Sequence, residues 1–393
     1  MNAFQDPTLA AAARRLSASI RASGALMAEA GRTVRIMEVC GTHTMAIARS
    51  GLRHLLPENV ILTSGPGCPV CVTGPGYIDV ALTLAERDVT IVTFGDLLRV
   101  PGSRLNLAEA RARGAKILVC YSPMEALQLA KSSPERQVLF LAIGFETTAA
   151  PIVAMLDQAV QAGIDNLSLL TAFKCVPPAL TALIADPEIA IDAFLCPGHV
   201  SAIIGAEAYR FVAEAHHIPC VVAGFEPLDI LLAIDGILTQ LKNRVALVDN
   251  QYQRVVRPEG NRKIQSLMAH YLQPADVDWR GIGIIPQSGL ALRPEYRAFD
   301  AEVRFSLTVQ SGKIHPDCQC GEVLKGKITP PECRLFRHGC HPDHPIGPCM
   351  VSSEGTCAAY FHYEQAASDQ QAGRIQQPEP IEPPARSRDD THG

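Results

Sequence analysis

No apolar run in this 393-residue chain reaches the length needed to cross a bilayer. Nor is there an excess of positive charge: 35 Lys and Arg stand against 40 Asp and Glu, a formal net charge of −5. That balance gives no basis for binding nucleic acid or an anionic membrane. The stretch MNAFQDPTLAAAARRLSASIRASG lacks the apolar core of a signal peptide and reads as an amphipathic helix. The expected compartment is therefore the cytoplasm. No G-x-x-x-x-G-K-[ST] loop occurs, which excludes a P-loop ATPase of the usual form. No second C-x-x-C accompanies Cys68 and Cys71, which weakens a closed zinc site built on them, since such a site needs four ligands.

What the chain has in quantity is cysteine. Apolar residues make up 47% and charged residues 19%, as in an ordinary soluble globular protein of two or three domains. Thirteen cysteines are many for a reducing compartment, and there they argue for metal binding or redox chemistry over structural disulfides. Six fall between Cys318 and Cys357. Three more are Cys40, Cys68 and Cys71. Cys120, Cys175, Cys196 and Cys220 are scattered.

From about residue 34 to 245 short apolar segments alternate with helical ones. Val34–Val39, Val60–Thr63, Thr90–Phe94, Lys116–Val119, Val138–Ile143, Leu167–Ala172, Ala193–Leu195 and Pro219–Ala223 read as strands buried on both faces. Tyr77–Arg87, Leu105–Arg113, Thr148–Ala162 and Pro227–Lys242 read as helices between them. The expected fold class is α/β, with two similar lobes of parallel sheet and a C-terminal iron–sulfur cluster domain. The expected units are an N-terminal helix (1–32) packing on the cluster domain, lobe I (33–135), lobe II (136–248), the cluster domain (249–372) and a disordered tail (373–393). The lobes divide at Lys131–Gln137, where Ser-Ser-Pro-Glu-Arg resembles a linker. Gly144-Phe145-Glu146-Thr147 and Gly224-Phe225-Glu226-Pro227 echo one another after apolar strands. Ala301–Leu307 reads as a further strand.

The unusual residues sit just past the carboxyl ends of these strands, where ligands bind in open α/β sheets. Cys40-Gly41-Thr42-His43-Thr44 offers a thiol, hydroxyls and an imidazole at a helix start, a position that favours thiolate. Taken alone, Cys40 reads more readily as a small buried hydrophobe, and His43 as a helix-surface residue. Cys68-Pro69-Val70-Cys71 can bind a soft metal or cycle between dithiol and disulfide. Glu146 and His199 make an acid–base pair if they share a cleft; singly, each reads as a helix-start charge or a turn residue. The Gly144–Thr148 helix start leaves backbone N–H groups for an anion. Among the six C-terminal cysteines, C-x14-C-x6-C-x16-C selects Cys318, Cys333, Cys340 and Cys357 for a [4Fe–4S] cluster. Cys320 and Cys349 then remain as a candidate redox disulfide. Zinc stays open there, because His338, His341 and His344 lie in the same stretch.

CGTHT at 40–44, GPGCPVC at 65–71, GFETT at 144–148, PGHVS at 197–201 and CMVSSEGTCAAYFHY at 349–363 occur in order. Together they resemble the HypD family of hydrogenase maturation proteins, over about residues 30–365. The resemblance implies a scaffold for the Fe(CN)2CO unit of [NiFe]-hydrogenase. It implies a HypC-type small chaperone that brings iron and a HypE-type donor that delivers cyanide as a thiocyanate. It implies Cys40 as ligand to a transient mononuclear iron, with Cys68 and Cys71 as a redox pair beside it. It implies cluster ligation by Cys318, Cys333, Cys340 and Cys357. The cluster surroundings resemble ferredoxin–thioredoxin reductase, and the Cys320/Cys349 pair fits that likeness. A plain iron–sulfur disulfide reductase is the competing reading. No nucleic acid or membrane partner is expected, and the chain is expected to be a monomer before complex formation.

Overall fold

The computed structural model describes residues 7–310 and 312–364. The tail expected after Gly373 lies outside them. Eleven strands form two sheets among these residues. They are β1 (Val34–Glu38), β2 (Val60–Ser64), β3 (Thr90–Phe94), β4 (Ile117–Cys120), β5 (Val138–Gly144), β6 (Leu167–Lys174), β7 (Ala193–Pro197), β8 (Cys220–Ala223), β9 (Val248–Asn250), β10 (Leu272–Trp279) and β11 (Gly283–Leu292). The first sheet has the order β2-β1-β7-β8-β9 and is parallel throughout. The second has the order β10-β11-β6-β5-β3-β4, parallel except for the β10–β11 hairpin at its edge. This is the expected α/β class.

The lobes are not consecutive in sequence. The chain lays down β1 and β2, leaves to build β3 to β6, returns for β7 to β9, then crosses again with the hairpin. The division expected at Lys131–Gln137 is therefore wrong. β5 pairs with β3 (Thr90 opposite Val138), so that stretch joins a helix to a strand of the same sheet. Arg136 N–H closes a turn onto the Ser133 carbonyl at 3.0 Å, which is why it reads like a linker. Strands buried on both faces carry no alternation, so nothing in β5 or β7 alone specifies its neighbour.

The N-terminal helix, Pro7–Glu29, also departs from expectation. It packs on the first sheet's side, not on the cysteine-rich region. Ala13, Ile20 and Met27, spaced by seven, form one stripe and share a core with Ile36, Ile230 and Ile234. Helix Pro227–Lys242 is its main neighbour. Asn59 Nδ2 donates to the Gly24 carbonyl (2.9 Å), tying helix to sheet. The unit expected at 249–372 is likewise divided. β9 belongs to the first sheet and the β10–β11 hairpin to the second, leaving the irregular cysteine-rich segment as the addition. Ala301–Leu307 is not a strand. Ala301–Phe305 is helical because Asp300 caps it, its carboxylate accepting from Glu302 N–H at 2.9 Å. No described helix is long and apolar enough to cross a membrane.

The cysteine-rich segment does not stand apart from the rest. Cys320, Cys340, Cys349 and Cys357 share a buried core with Cys68, Cys71, Val72 and Trp279. A charged contact anchors its end. Arg53 bridges Glu38 (3.0 Å), which is fully buried at the end of β1, and Glu364 (2.9 Å), and its guanidinium lies 4.9 Å from the centre of the Tyr360 ring.

Candidate functional site

Cys40 lies two residues past β1 and caps helix Gly41–Ser50 with extended backbone. Two segments close on it through glycines. Gly41 N–H donates to the Gly67 carbonyl (2.8 Å), and a Cβ on Gly67 would lie 2.2 Å from the Cys40 nitrogen. A Cβ on Gly41 would lie 2.5 Å from the Glu354 Cβ. The glycines are what let the 65–71 loop and the C-terminal segment both reach Cys40. Thr42 Oγ1 donates to Glu354 Oε1 at 2.6 Å.

Four sequence-predicted residues converge here. Cys68 and Cys71 follow Gly67 and form a disulfide. The His43 ring is fully buried and donates from Nε2 to the Gly224 carbonyl (2.8 Å), which leaves Nδ1 as a buried lone pair without a partner. Burial pushes its pKa down to about 4, so it is neutral at pH 7. His199, exposed at the start of helix Gly198–Ile204, stacks on Phe225 at 4.0 Å, while His43 stacks on the same ring at 4.8 Å. Partial desolvation, where the ring is covered, holds His199 below the ordinary imidazole range.

The helix start was expected to favour thiolate at Cys40. The opposite holds. Burial, and secondarily the Glu354 carboxylate, push the thiol up to about 12, overriding the N–H groups of His43 and Thr42. Cys40 is therefore a neutral thiol at pH 7.

Glu146 does not join His199 as an acid–base pair. It starts helix Glu146–Gln161, and Oε1 accepts from Val176 N–H at 2.9 Å. Oε2 is buried without a partner, and burial pushes the carboxyl up to about 7. Its electrostatic neighbours are Cys175 and Tyr209. At this helix start Thr148 packs over Gly144.

The C-terminal thiols meet among themselves. Cys320 lies beside Cys318, Cys349 and Cys357, and Cys349 beside Cys357, so the sulfurs act on one another's protonation. Cys320, then Cys357, hold the neighbouring Cys349 well below the ordinary thiol range; Cys318 and Cys357 are held above it. Cys340 Sγ accepts from Ile346 N–H (3.3 Å). Cys333 is half-buried at the edge of this group. A Cβ on Gly347 would meet Cys320 Sγ at 2.5 Å and Cys318 Sγ at 3.0 Å, so the loop is pressed onto sulfur. Among the described residues no three side chains stand in metal-binding geometry as they are. The donor chemistry fits an iron–sulfur cluster all the same: mostly buried thiols, backbone N–H aimed at sulfur, and Arg280 nearby.

Two site residues were missed in the sequence. Phe225 stood in the Gly224–Pro227 echo, which was read as a sign of repetition and is instead the ring between two histidines. Glu354 stood inside the C-terminal motif with no spacing rule to mark it.

Comparisons with known proteins bear on the whole chain. The family model described as "HypD: Hydrogenase formation hypA family" matches residues 12–364. The chain is 46% identical over 342 residues to "Hydrogenase maturation factor HypD" of Escherichia coli (strain K12), covering 86% of this chain and 92% of that protein. It is 45% identical over 361 residues to the protein of that name from Azotobacter vinelandii, covering 90% and 94%. With that from Cupriavidus necator it shares 42% over 370 residues, covering 92% and 96%.

Proposed function

We propose, because this chain belongs to the HypD family of hydrogenase maturation factors, that it is the scaffold on which the iron unit of [NiFe]-hydrogenase receives its diatomic ligands. The observation that carries this reading is the meeting of three segments at Cys40: its own helix, the disulfide loop through Gly67, and the cysteine-rich segment through Glu354.

In this reading iron is the cargo. It arrives on a HypC-type small chaperone and is held at Cys40, whose thiol gives up its proton to the incoming cation. A soft thiolate suits electron-rich iron that binds cyanide and carbon monoxide. The His43 lone pair and the Thr42–Glu354 hydrogen bond line the same place. Cyanide comes from a HypE-type donor as a thiocyanate. Cleaving its S–C bond consumes two electrons and yields a thiolate and cyanide. Closing the Cys68 and Cys71 thiols to a disulfide releases two electrons and two protons, so one pair matches one cyanide. Cys318, Cys333, Cys340 and Cys357 would hold the cluster, which supplies electrons one at a time. Cys320 and Cys349 would pass them toward the cleft. A cytoplasmic location follows from the need to keep these thiols reduced.

An anaerobic infrared spectrum of the full chain purified with its small partner tests the reading. Bands from CN and CO on iron are expected, and Cys40→Ser is expected to lose them while the fold is kept. A wild-type chain that reduces a protein disulfide but never carries such iron would instead be a plain disulfide reductase.

A further inference from the structure

A cavity of about 560 Å³, with Cys40 not among its lining residues, lies between the 99–106 loop and residues 313–316 and 343–346 of the cysteine-rich segment. Its size is that of a small-molecule site. Four permanent cations line it: Arg99, Arg104, Arg280 and Lys313. Only two carboxylates face them, Glu109 and Asp343. Glu109 is already engaged, accepting from Asn106 N–H at 3.0 Å in the cap of helix Leu107–Ala112. A cationic wall of this kind is unusual on a chain whose net charge is −5.

Arg280 makes the cavity a built site. It is 3% exposed, its Nε is buried, and that atom has no hydrogen-bond partner among the described residues. Its backbone N–H is fixed to the Val72 carbonyl (2.8 Å), which ties its main chain to the loop after Cys71. Its electrostatic neighbours are Cys318 and Cys349, yet a buried guanidinium whose Nε has no hydrogen-bond partner is still costly, and its planar fork of donors matches the two oxygens of a carboxylate or phosphate.

We propose that this cavity binds a small oxyanion of two or more negative charges, of the phosphate or polycarboxylate class, with Arg280 as its buried anchor. Arg104 and Lys313, both exposed at the rim, complete the charge balance and give the ligand its way in. This site lies beyond the iron-assembly reading and does not depend on it.

The test is titration calorimetry on the full chain at fixed ionic strength, with inorganic pyrophosphate in one arm and citrate in the other. One saturable site per chain is expected, and the tighter arm names the class. Arg280→Met is expected to abolish it. Arg104→Gln and Lys313→Gln are expected to keep the wild-type melting curve in the absence of anion. Each should weaken binding about tenfold, as the loss of one charge-assisted hydrogen bond requires. The rim variants keep the test decisive if Arg280→Met fails to fold. Three results would overturn the site: no saturable binding of either probe, an affinity unchanged in the Arg104→Gln/Lys313→Gln double variant, or binding seen only in iron-free protein. The last would mean that Arg280 serves the cysteines alone.

Discussion

A single methyl group at residue 67 should separate the disulfide loop from Cys40. In Gly67→Ala the new Cβ would meet three backbone atoms of Cys40, at 2.2, 2.5 and 2.7 Å. Backbone cannot rotate aside as a side chain can. Reaching 3.4 Å of ordinary contact from 2.2 Å requires a displacement of about 1.2 Å. The Gly41 N–H to Gly67 carbonyl bond, 2.8 Å long, lies across the same gap and stretches with it. Overpacking of this kind costs about 1–3 kcal/mol of stability, and a misplacement of about 1 Å at a reacting centre costs on the order of 100-fold in rate. The control is Gly236→Ala. Its Cβ would sit 3.6 Å from Asp249 inside helix Pro227–Lys242, where alanine should add roughly 0.5–1 kcal/mol. Urea midpoints of both variants, with infrared CN and CO bands of the chain co-purified with its small partner, give the readout. Gly67→Ala should unfold earlier and lose most of the bands; Gly236→Ala should unfold later and keep them. A Gly67→Ala protein with wild-type midpoint and undiminished bands would refute the contact and the role given to it.

The buried Glu146 makes stability depend on pH. Its carboxyl titrates near 7 in the fold against an ordinary 4.5, so its contribution is full below pH 4.5 and is lost as pH rises through 7. Glu146→Gln keeps an acceptor for Val176 N–H and should flatten the urea midpoint between pH 5 and 8, by up to about 3 kcal/mol relative to wild type; parallel slopes for the two proteins would sink the assignment. Arg53→Met leaves Glu38 buried beside Ser64 without its cation, which should cost about 3–5 kcal/mol in denaturant unfolding at pH 7. Adding Glu38→Gln to Arg53→Met should recover part of that loss, and a double variant no better than the single would count against a buried charge as the cause. Cys320→Ser or Cys349→Ser should leave iron on the chain but slow reductive cyanide transfer, followed as growth of the CN bands; an unchanged rate removes the pair from the electron route.

The strands were legible because each is a short, nearly unbroken apolar run, and helix Pro227–Lys242 matches its expected span residue for residue. What stayed hidden was which strand lies beside which. β1 recruits β7 across more than 150 residues, with Ile36 opposite Ala193, and neither sequence carries a mark of the other. The N-terminal helix was misplaced for the same reason. Its stripe of Ala13, Ile20 and Met27 says that it must be covered, and only the fold says by what.

The site divides along the same line. Residues whose chemistry is rare, Cys40, His43, Cys68, Cys71 and His199, could be named in the sequence and do converge. Residues whose role is to be near could not. Glu354 has ordinary chemistry and lies 312 positions from Thr42, its hydrogen-bond partner. Even its effect on Cys40 ran against the local rule. The helix start alone predicts a lowered thiol pKa, yet enclosure by the 65–71 loop and the Glu354 carboxylate raise it. Enclosure depends on Gly41 and Gly67, whose function is the absence of a side chain. A glycine in a motif looks like a turn. Here it is the space that allows two distant segments to lie against one thiol, so the chemistry at Cys40 is set less by its neighbours in sequence than by what those glycines admit.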